Sequence, residues 1–150
     1  EVNFPLTPAF LATHGVAQDN VTGAAAAVTV NFTTEVFDQN ADYDGTNLFT
    51  APVTGRYYFA NSVNFAQLDA LATSGVIRFV TSNRTYNSQS VAYGLIRDVS
   101  NEVTFGFSTL TDMDAADTCT VQVLVSGMAG NTVDLPINVA VTYFSGYLAC

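Results

Sequence analysis

Hydrophobic and polar residues alternate with a period of two along most of the chain, and the apolar positions form five runs. These runs are Val28, Val30 and Phe32; Tyr57, Phe59, Val63 and Phe65; Val103, Phe105 and Phe107; Cys119, Val121, Val123 and Val125; and Ile137, Val139 and Val141. Successive side chains of a strand point to opposite faces, so this alternation indicates strands with one buried and one hydrated face. We predict a strand at each run.

Turn-forming pairs separate the runs: Asp44-Gly45, Ser74-Gly75, Ser126-Gly127 and Gly130-Asn131. No window has the stripe of an amphipathic helix. Residues 23–27 (GAAAA) favour helix, but the run is short and its flanks favour strand, so we predict a loop or a strand edge there. Many short strands with glycine-punctuated turns predict an all-β, antiparallel sandwich or barrel.

The length of 150 residues suits one domain with a full core. We expect residues 1–150 to form a single domain with an extended N-terminal lead-in over residues 1–8 (EVNFPLTP). No apolar run approaches the roughly 20 residues that span a bilayer, and no basic segment precedes a leader-like run. We therefore predict no membrane insertion.

The chain is strongly acidic, with thirteen Asp and Glu against four basic residues and a net charge of −9. The basic residues are all arginines, and they are scattered: Arg56, Arg78, Arg84 and Arg97. Nucleic-acid binding depends on clustered positive charge that displaces counterions from phosphates. The charge distribution therefore excludes nucleic acid and anionic membrane surfaces as partners.

An ordered series of aromatic and glycine positions follows the first run: Phe32, Asp38, Tyr43, Phe49, Gly55, Tyr57 and Phe59. Residues 113–123 then resemble a turn into a strand near the C-terminus, and residues 142–148 (TYFSGYL) resemble a closing strand. Together these segments resemble the complement C1q globular-head family, which shares its jelly roll with the tumour necrosis factor ligands. Two departures are Asn61, where the family has an aromatic, and Ala116, where it has glycine.

The resemblance implies an all-β, antiparallel jelly-roll β-sandwich of about ten strands that assembles as a homotrimer. It also implies a non-enzymatic recognition module that binds a glycan or protein receptor, as a fibre head on a cell or phage. The alternative is a structural decoration or fibre-knob protein of a virus particle, whose partners are capsid or fibre proteins. Both alternatives place the chain outside the cell or on the virion surface.

The closing strand supplies the candidate interface residues. The resemblance directs Phe144, Gly146 and Leu148 inward, so the intervening Tyr143 and Tyr147 point away from the core. Aromatic residues are enriched at protein interfaces. By the resemblance, this face lies along the threefold axis, so Tyr143 and Tyr147 are the predicted trimer-interface residues.

Residues 37–49 (FDQNADYDGTNLF) have two interpretations. Asn40, Asp42 and Asp44 match the first half of a calcium loop, but Ala51 stands where such a loop places its bidentate glutamate. Asp and Asn also form turns by bonding their own backbone. We predict no metal and no cofactor, with these three residues as the weak calcium candidates.

No catalytic residues are predicted, and we expect the protein not to be an enzyme. His14 is the only histidine and is expected to lie at a rim or turn, while Asp112, Asp114 and Asp117 are expected to form a turn before a strand. Cys119 and Cys150 have no metal-finger spacing, and their pairing stays open. Asn20, Asn31 and Asn83 begin glycosylation sequons, which matter only in a eukaryotic secretory pathway.

Overall fold

The computed structural model describes residues 7–150, in which nearly all regular structure is strand. Most of the predicted lead-in over residues 1–8 lies outside the described residues. The elements are β1 Ala9–Thr13, β2 Gln18–Thr22, β3 Ala27–Thr29, β4 Thr34–Asp38, β5 Phe49–Thr50, β6 Gly55–Phe65, β7 Ser74–Thr81, β8 Thr85–Asn87, α1 Tyr93–Ile96, β9 Val103–Met113, β10 Thr118–Ser126, β11 Val133–Leu135 and β12 Tyr143–Leu148.

Two antiparallel five-stranded sheets enclose one core. The first sheet has the order β4-β1-β12-β6-β9, and the second has the order β3-β10-β7-β8 with β5 also pairing with β10. Strands β2 and β11 form a separate two-stranded sheet. This arrangement confirms the predicted all-β, antiparallel jelly-roll sandwich.

Aromatic side chains fill the space between the sheets, and Phe144 of β12 lies among them. The centroid of its ring is 4.8 Å from that of Phe10 in an edge-to-face arrangement. It is 5.7 Å from Phe59 and 5.9 Å from Phe79, which belongs to the second sheet. These four rings are almost completely buried. Phe144 therefore links both sheets through the offset and edge geometries that aromatic pairs prefer.

Gly146 makes room for this cluster. A Cβ atom at this position would lie 2.4 Å from the Phe59 ring and 2.9 Å from the Phe10 ring. Any larger residue at this inward position of β12 would displace two core aromatics, so glycine is required by packing.

Four of the five predicted strand runs are confirmed, although one is shorter than its pattern. Strand β3 ends at Thr29, while Val30 and Phe32 beyond it are fully buried. Their backbone amides bond to the carbonyls of Val121 and Thr46, so burial continues where regular pairing between strands has ended. Alternation reports burial of side chains, and here it extends past the strand.

The prediction of a strand over residues 137–141 is wrong. The backbone amides of Val141 and Thr142 both bond to the carbonyl of Asn138, which closes a turn. Ile137 and Val139 are 60% and 52% exposed. Pro136 precedes this segment and lacks the N–H that a strand ladder needs. Alternation in this short window therefore belongs to an exposed loop, and β12 begins at Tyr143.

Ala116 occupies the turn between β9 and β10 in a left-handed conformation, with φ +74°. Its amide bonds to the carbonyl of Ala51, and the Asp117 amide bonds to the carbonyl of Asp114, so the turn is held on both sides. A residue with a Cβ atom pays about 1–2 kcal/mol in this conformation. This cost explains why the C1q globular-head family, which the chain resembles, has glycine at the position.

We expect Ala116→Gly to raise the free energy of unfolding by about 0.5–1 kcal/mol, because relief of the left-handed conformation exceeds the added entropy of the unfolded chain. Urea unfolding measures the change. The matched control is Ala115→Gly, since Ala115 is not among the residues with positive φ, and there glycine should destabilise. An unchanged or lower stability for Ala116→Gly would contradict the account.

Candidate functional site

The closing strand β12 presents the predicted residues as expected. Phe144 and Gly146 are buried, whereas Tyr143 and Ser145 are partly exposed and Tyr147 is 48% exposed. The aromatic cluster around Phe144 fixes this parity. Tyr143 and Tyr147 therefore lie on the outer face of the first sheet, as predicted from the alternation.

Register pairing extends this face into three rows across the first sheet. The first row is Ala9, Tyr147, Tyr58 and Leu110. The second row is Phe37, Leu11, Ser145, Ala60 and Ser108. The third row is Thr34, Thr13, Tyr143, Ser62 and Gly106. Residues directly opposite one another in an antiparallel pair share a face, so these three rows, named here the outer face, form one surface. At its β4 edge the register shifts, and the exposed Glu35 and Val36 lie between Phe37 and Thr34.

No residue in the three rows carries a charge, although the chain has a net charge of −9. The next row across β6 and β9 is the charged pair Arg56 and Asp112, which borders the face on one side. The cores of protein interfaces are depleted of charged residues in the same way. The outer face therefore has the composition of a surface that another protein chain covers.

Small residues create a depression in this face. It has a volume of about 350 Å³ and lies over Ala60, Ser62, Gly106 and Ser108, with Tyr143 on its margin. A Cβ atom on Gly106 would lie 2.1 Å from the backbone oxygen of Asn61, so the close approach of β6 and β9 requires glycine.

Large apolar side chains stand elsewhere on the outer face, both on its inner strands and at its edges. The rings of Tyr58 and Tyr147 lie 5.4 Å apart. Phe37 and Leu110, at the two edges of the face, are 48% and 52% exposed. Bulky groups around a depression provide the projections and recesses that shape-complementary surfaces need.

Sequence reasoning missed Tyr58, Phe37 and Leu110. Tyr58 had a signal, because it alternates with the buried Tyr57 and Phe59 and so must face outward. Phe37 and Leu110 had none, since only the cross-strand register places them in rows with the residues of β12.

The calcium candidates lie in the loop between β4 and β5. Oδ1 of Asp44 accepts bonds from the backbone amides of Thr46, Asn47 and Leu48 at 2.8, 2.8 and 3.0 Å. Although partial burial acts in the opposite direction, these donors lower the pKa of the Asp44 carboxyl. Asp44 therefore organises the turn, while the buried Tyr43 and Phe49 anchor the loop in the core.

Asp42 lies in a different environment. Its Oδ2 atom is buried without a hydrogen-bond partner, and burial together with the nearby Asp38 raises the pKa of its carboxyl. Among residues 7–150, no three His, Cys, Asp or Glu side chains cluster in a way that would hold a metal ion. The ligand set for calcium at Asn40, Asp42 and Asp44 stays incomplete.

We predict that millimolar calcium leaves the melting temperature essentially unchanged, because Asp44 already accepts three backbone bonds and Ala51 offers no carboxylate. Differential scanning calorimetry with and without calcium tests this. A substantial rise that Asp42→Asn abolishes would establish a calcium site here.

His14 is fully buried at the end of β1 and holds segments together. Its Nδ1 lies 2.5 Å from the carbonyl oxygen of Asn31, and its Nε2 lies 3.0 Å from that of Leu135. Its backbone amide bonds to the carbonyl of Thr142. We expected an accessible histidine at a rim or turn, and this expectation is wrong because the ring is buried. Its contacts with two carbonyl oxygens give it a structural role.

The acidic residues near β9 also have structural partners. Asp112 forms an ion pair with Arg84 at 2.7 Å and accepts a bond from the Tyr86 hydroxyl at 2.9 Å. Oδ2 of Asp117 accepts bonds from the Asp114 amide and the Asn83 side chain, both at 2.7 Å. The bonds to Asp117 hold the turn that precedes β10, as the sequence predicts, whereas the prediction is wrong for Asp112, which lies within β9 and pairs with Arg56 of β6.

The two cysteines do not pair. Cys119 is buried on β10 of the second sheet, and Cys150 is an exposed residue beyond β12 of the first sheet. Burial raises the pKa of the Cys119 thiol, so the reactive thiolate is disfavoured there.

We expect one thiol to react rapidly with an aromatic disulfide reagent in the native protein and two to react after denaturation. Cys150 is accessible, whereas Cys119 needs unfolding to reach the reagent. Peptide mass spectrometry identifies the modified residue. A loss of two protons in the intact mass, or rapid native modification of Cys119, would contradict the structure.

The sequons differ in accessibility. Asn20 is exposed, whereas Asn31 is partly buried and its side chain accepts a bond from Asn47. The Asn83 amide nitrogen donates to Asp117 and to the carbonyl of Asp112. Of the three amide groups, that of Asn20 is therefore the most accessible to a modifying enzyme.

No family profile and no curated protein matches the sequence. Solved structures do match the fold. The globular domain of zebrafish complement 1qA protein is 16% identical, with a TM-score of 0.64 over 96% of this chain and 98% of that one. Murine APRIL at pH 8.5 is 10% identical, with a TM-score of 0.61 over 95% and 98% of the two chains. These matches confirm the C1q/TNF-like jelly roll.

Proposed function

We propose that the chain is a non-enzymatic homotrimeric recognition module, and that the outer face of the first sheet forms the trimer interface. The uncharged surface of that face carries the proposal. On an acidic chain, leaving an uncharged face with Tyr58, Tyr147 and Leu110 in water is unfavourable, and burial against another copy removes that cost.

A closed ring fits these features better than a symmetric pair. Phe37 and Leu110 stand at the two edges of the sheet, on β4 and β9, whereas Tyr58, Tyr147 and the small residues of the depression lie on or next to the inner strands β6 and β12. In a ring, an edge of one copy packs against the face of the next, and rotation closes the assembly. The resemblance to the C1q and tumour necrosis factor families favours three copies.

The function we propose is receptor binding outside the cell or on a virion surface, with a glycan or a protein as the receptor. The described residues show no paired nucleophile and base, since His14 bonds to backbone carbonyls and Cys119 is buried. No helix in residues 7–150 is long and apolar enough to cross a membrane. Trimeric display makes weak individual contacts effective through avidity.

A structural decoration protein of a virus particle is the competing proposal. A glycan array and a binding assay against intact capsids distinguish the two, because a receptor-binding head binds defined surface molecules and a decoration protein binds assembled capsids.

Light scattering should give a mass three times the 15.9 kDa of one chain. Tyr143→Glu should yield monomer or aggregate, because it places a charge at the centre of each of three interfaces. Loss of a central aromatic anchor typically costs about 2 kcal/mol or more per site.

Two controls separate interface loss from misfolding. Tyr143→Phe keeps the ring and should remain a trimer, and Val53→Glu adds the same charge at an exposed position outside the outer face. A 15.9 kDa mass for the unmodified protein, or an intact trimer of Tyr143→Glu, contradicts the assignment.

A further inference from the structure

One end of the sandwich exposes an unusual number of aliphatic side chains. Strand β6 ends there at Phe65, and Pro8 and Cys150 lie at the other end, where they bond to Leu148 and Arg56. We name the apical patch by its four residues: Leu71, Leu95, Ile96 and Val99. Their exposed fractions are 62%, 84%, 49% and 102%.

Two loops bring the apical patch together. The Gly94 amide bonds to the carbonyl of Ala72 at 2.9 Å, and a Cβ on Gly94 would lie within 3 Å of carbonyl oxygens of residues 69, 70 and 72. This contact places Leu71 beside the loop that carries Leu95. The Leu68 amide bonds to the carbonyl of Asn101 at 3.0 Å and ties the same two loops a second time.

The loop of the apical patch is braced rather than loose. The Arg97 guanidinium donates to the carbonyl of Gly94 and, at 2.8 Å, to Oδ1 of Asn101. Oδ1 of Asp98 accepts bonds from the amides of Ser100 and Glu102 at 2.8 and 3.0 Å. The exposed aliphatic groups are therefore held in a fixed arrangement, which lowers the entropic cost of binding.

An acidic cleft of about 280 Å³ opens directly beside the patch. Ile96 lines it together with Asp98, Glu102, Asn64 and Thr104. Asn64 is 4% exposed; it donates to Oε2 of Glu102 at 3.3 Å and accepts from the Thr104 hydroxyl at 3.1 Å. These bonds orient the Glu102 carboxylate. The bonds to the Asp98 carboxylate all reach Oδ1 and the bond to Glu102 reaches Oε2, so each uses one of the two carboxylate oxygens.

We propose that the apical patch is a docking surface for a protein that presents aliphatic residues beside a lysine or arginine. The aliphatic groups of that partner cover Leu95 and Val99, and its cationic side chain enters the acidic cleft toward Glu102. Burial of the apolar surface supplies affinity, and the charge pairing supplies orientation and specificity. This inference names the partner class of the proposed recognition module and rests on that proposed function.

Charge argues against the other occupants. A second copy would bring the same carboxylates of Asp69, Asp98 and Glu102 against themselves, and the chain has no lysine to offer. Three of its arginines have partners within the chain: Arg78 with Gln122, Arg84 with Asp112 and Arg97 with Asn101. A bilayer would desolvate the same carboxylates beside lipid phosphates.

The experiment selects a displayed random peptide library on the intact protein and measures the affinities of enriched peptides. We expect sequences that combine aliphatic residues with lysine or arginine. The double substitution Leu95→Ser/Val99→Ser should lower the affinity for these peptides about tenfold or more, since burial of two aliphatic groups contributes at least about 1.4 kcal/mol to binding. Glu102→Gln should lower the affinity several-fold and reduce the salt dependence of peptide binding.

Val53→Ser is the matched control, because it removes an exposed aliphatic group at the opposite end, and it should leave peptide affinity unchanged. Failure to enrich such peptides, enriched peptides without basic residues, or equal affinity for Leu95→Ser/Val99→Ser would overturn the proposal. Two further results would also overturn it. Binding to phosphatidylcholine vesicles that the apical substitutions abolish would identify a membrane as the occupant. Assembly beyond the trimer that the same substitutions abolish would identify a second copy.

Sedimentation velocity on each variant separates the two proposals. A monomer that still binds the peptides at the apical patch refutes the trimer alone. A trimer that binds none refutes the apical patch alone.

Discussion

The packing of Phe144 between the sheets is the contact on which the rest of the structure depends. This ring meets Phe10 and Phe59 of its own sheet and Phe79 of the opposite sheet, all within 6 Å. A shift of one residue in β12 would turn Phe144 to solvent and bring Tyr143 into the core. The position of one aromatic ring therefore decides which residues form the outer face, and Gly146 permits that position by leaving space for its neighbours.

The fold was predictable wherever a strand has one dry and one wet face. The alternation at residues 119–125 falls on β10 with the same burial pattern, and the alternation at residues 57–65 falls on β6, where it holds until Asn64, which is buried as well. The pattern failed at residues 137–141, because a window of three apolar residues does not tell an exposed turn from a strand. Asn138, whose carbonyl accepts two amides, decides that segment, and its influence has no signature in hydrophobicity.

The outer face was predictable only along one strand. Tyr143 and Tyr147 follow from the parity of β12, but the uncharged rows are made from five strands whose register no single segment specifies. Ser62 and Gly106, for example, have no individual signal, and they matter because β6 and β9 place them side by side next to Tyr143.

The apical patch could not be predicted from the sequence for a different reason. Leu95 and Val99 look like core residues in the sequence, and only their 84% and 102% exposure separates them from buried aliphatics.

The two surfaces we propose complement each other in direction. The outer face runs along the strands of the first sheet, whereas the apical patch lies at the end where β6 finishes and away from Pro8 and Cys150. Cyclic symmetry repeats each surface about one axis. In the proposed trimer, with the strands along that axis, three apical patches would share one end of the assembly, and Pro8 and Cys150 of each copy would share the other. Three modest sites in fixed relation would act at a high effective concentration, so the trimer we propose would convert the small area of each patch into a strong collective contact.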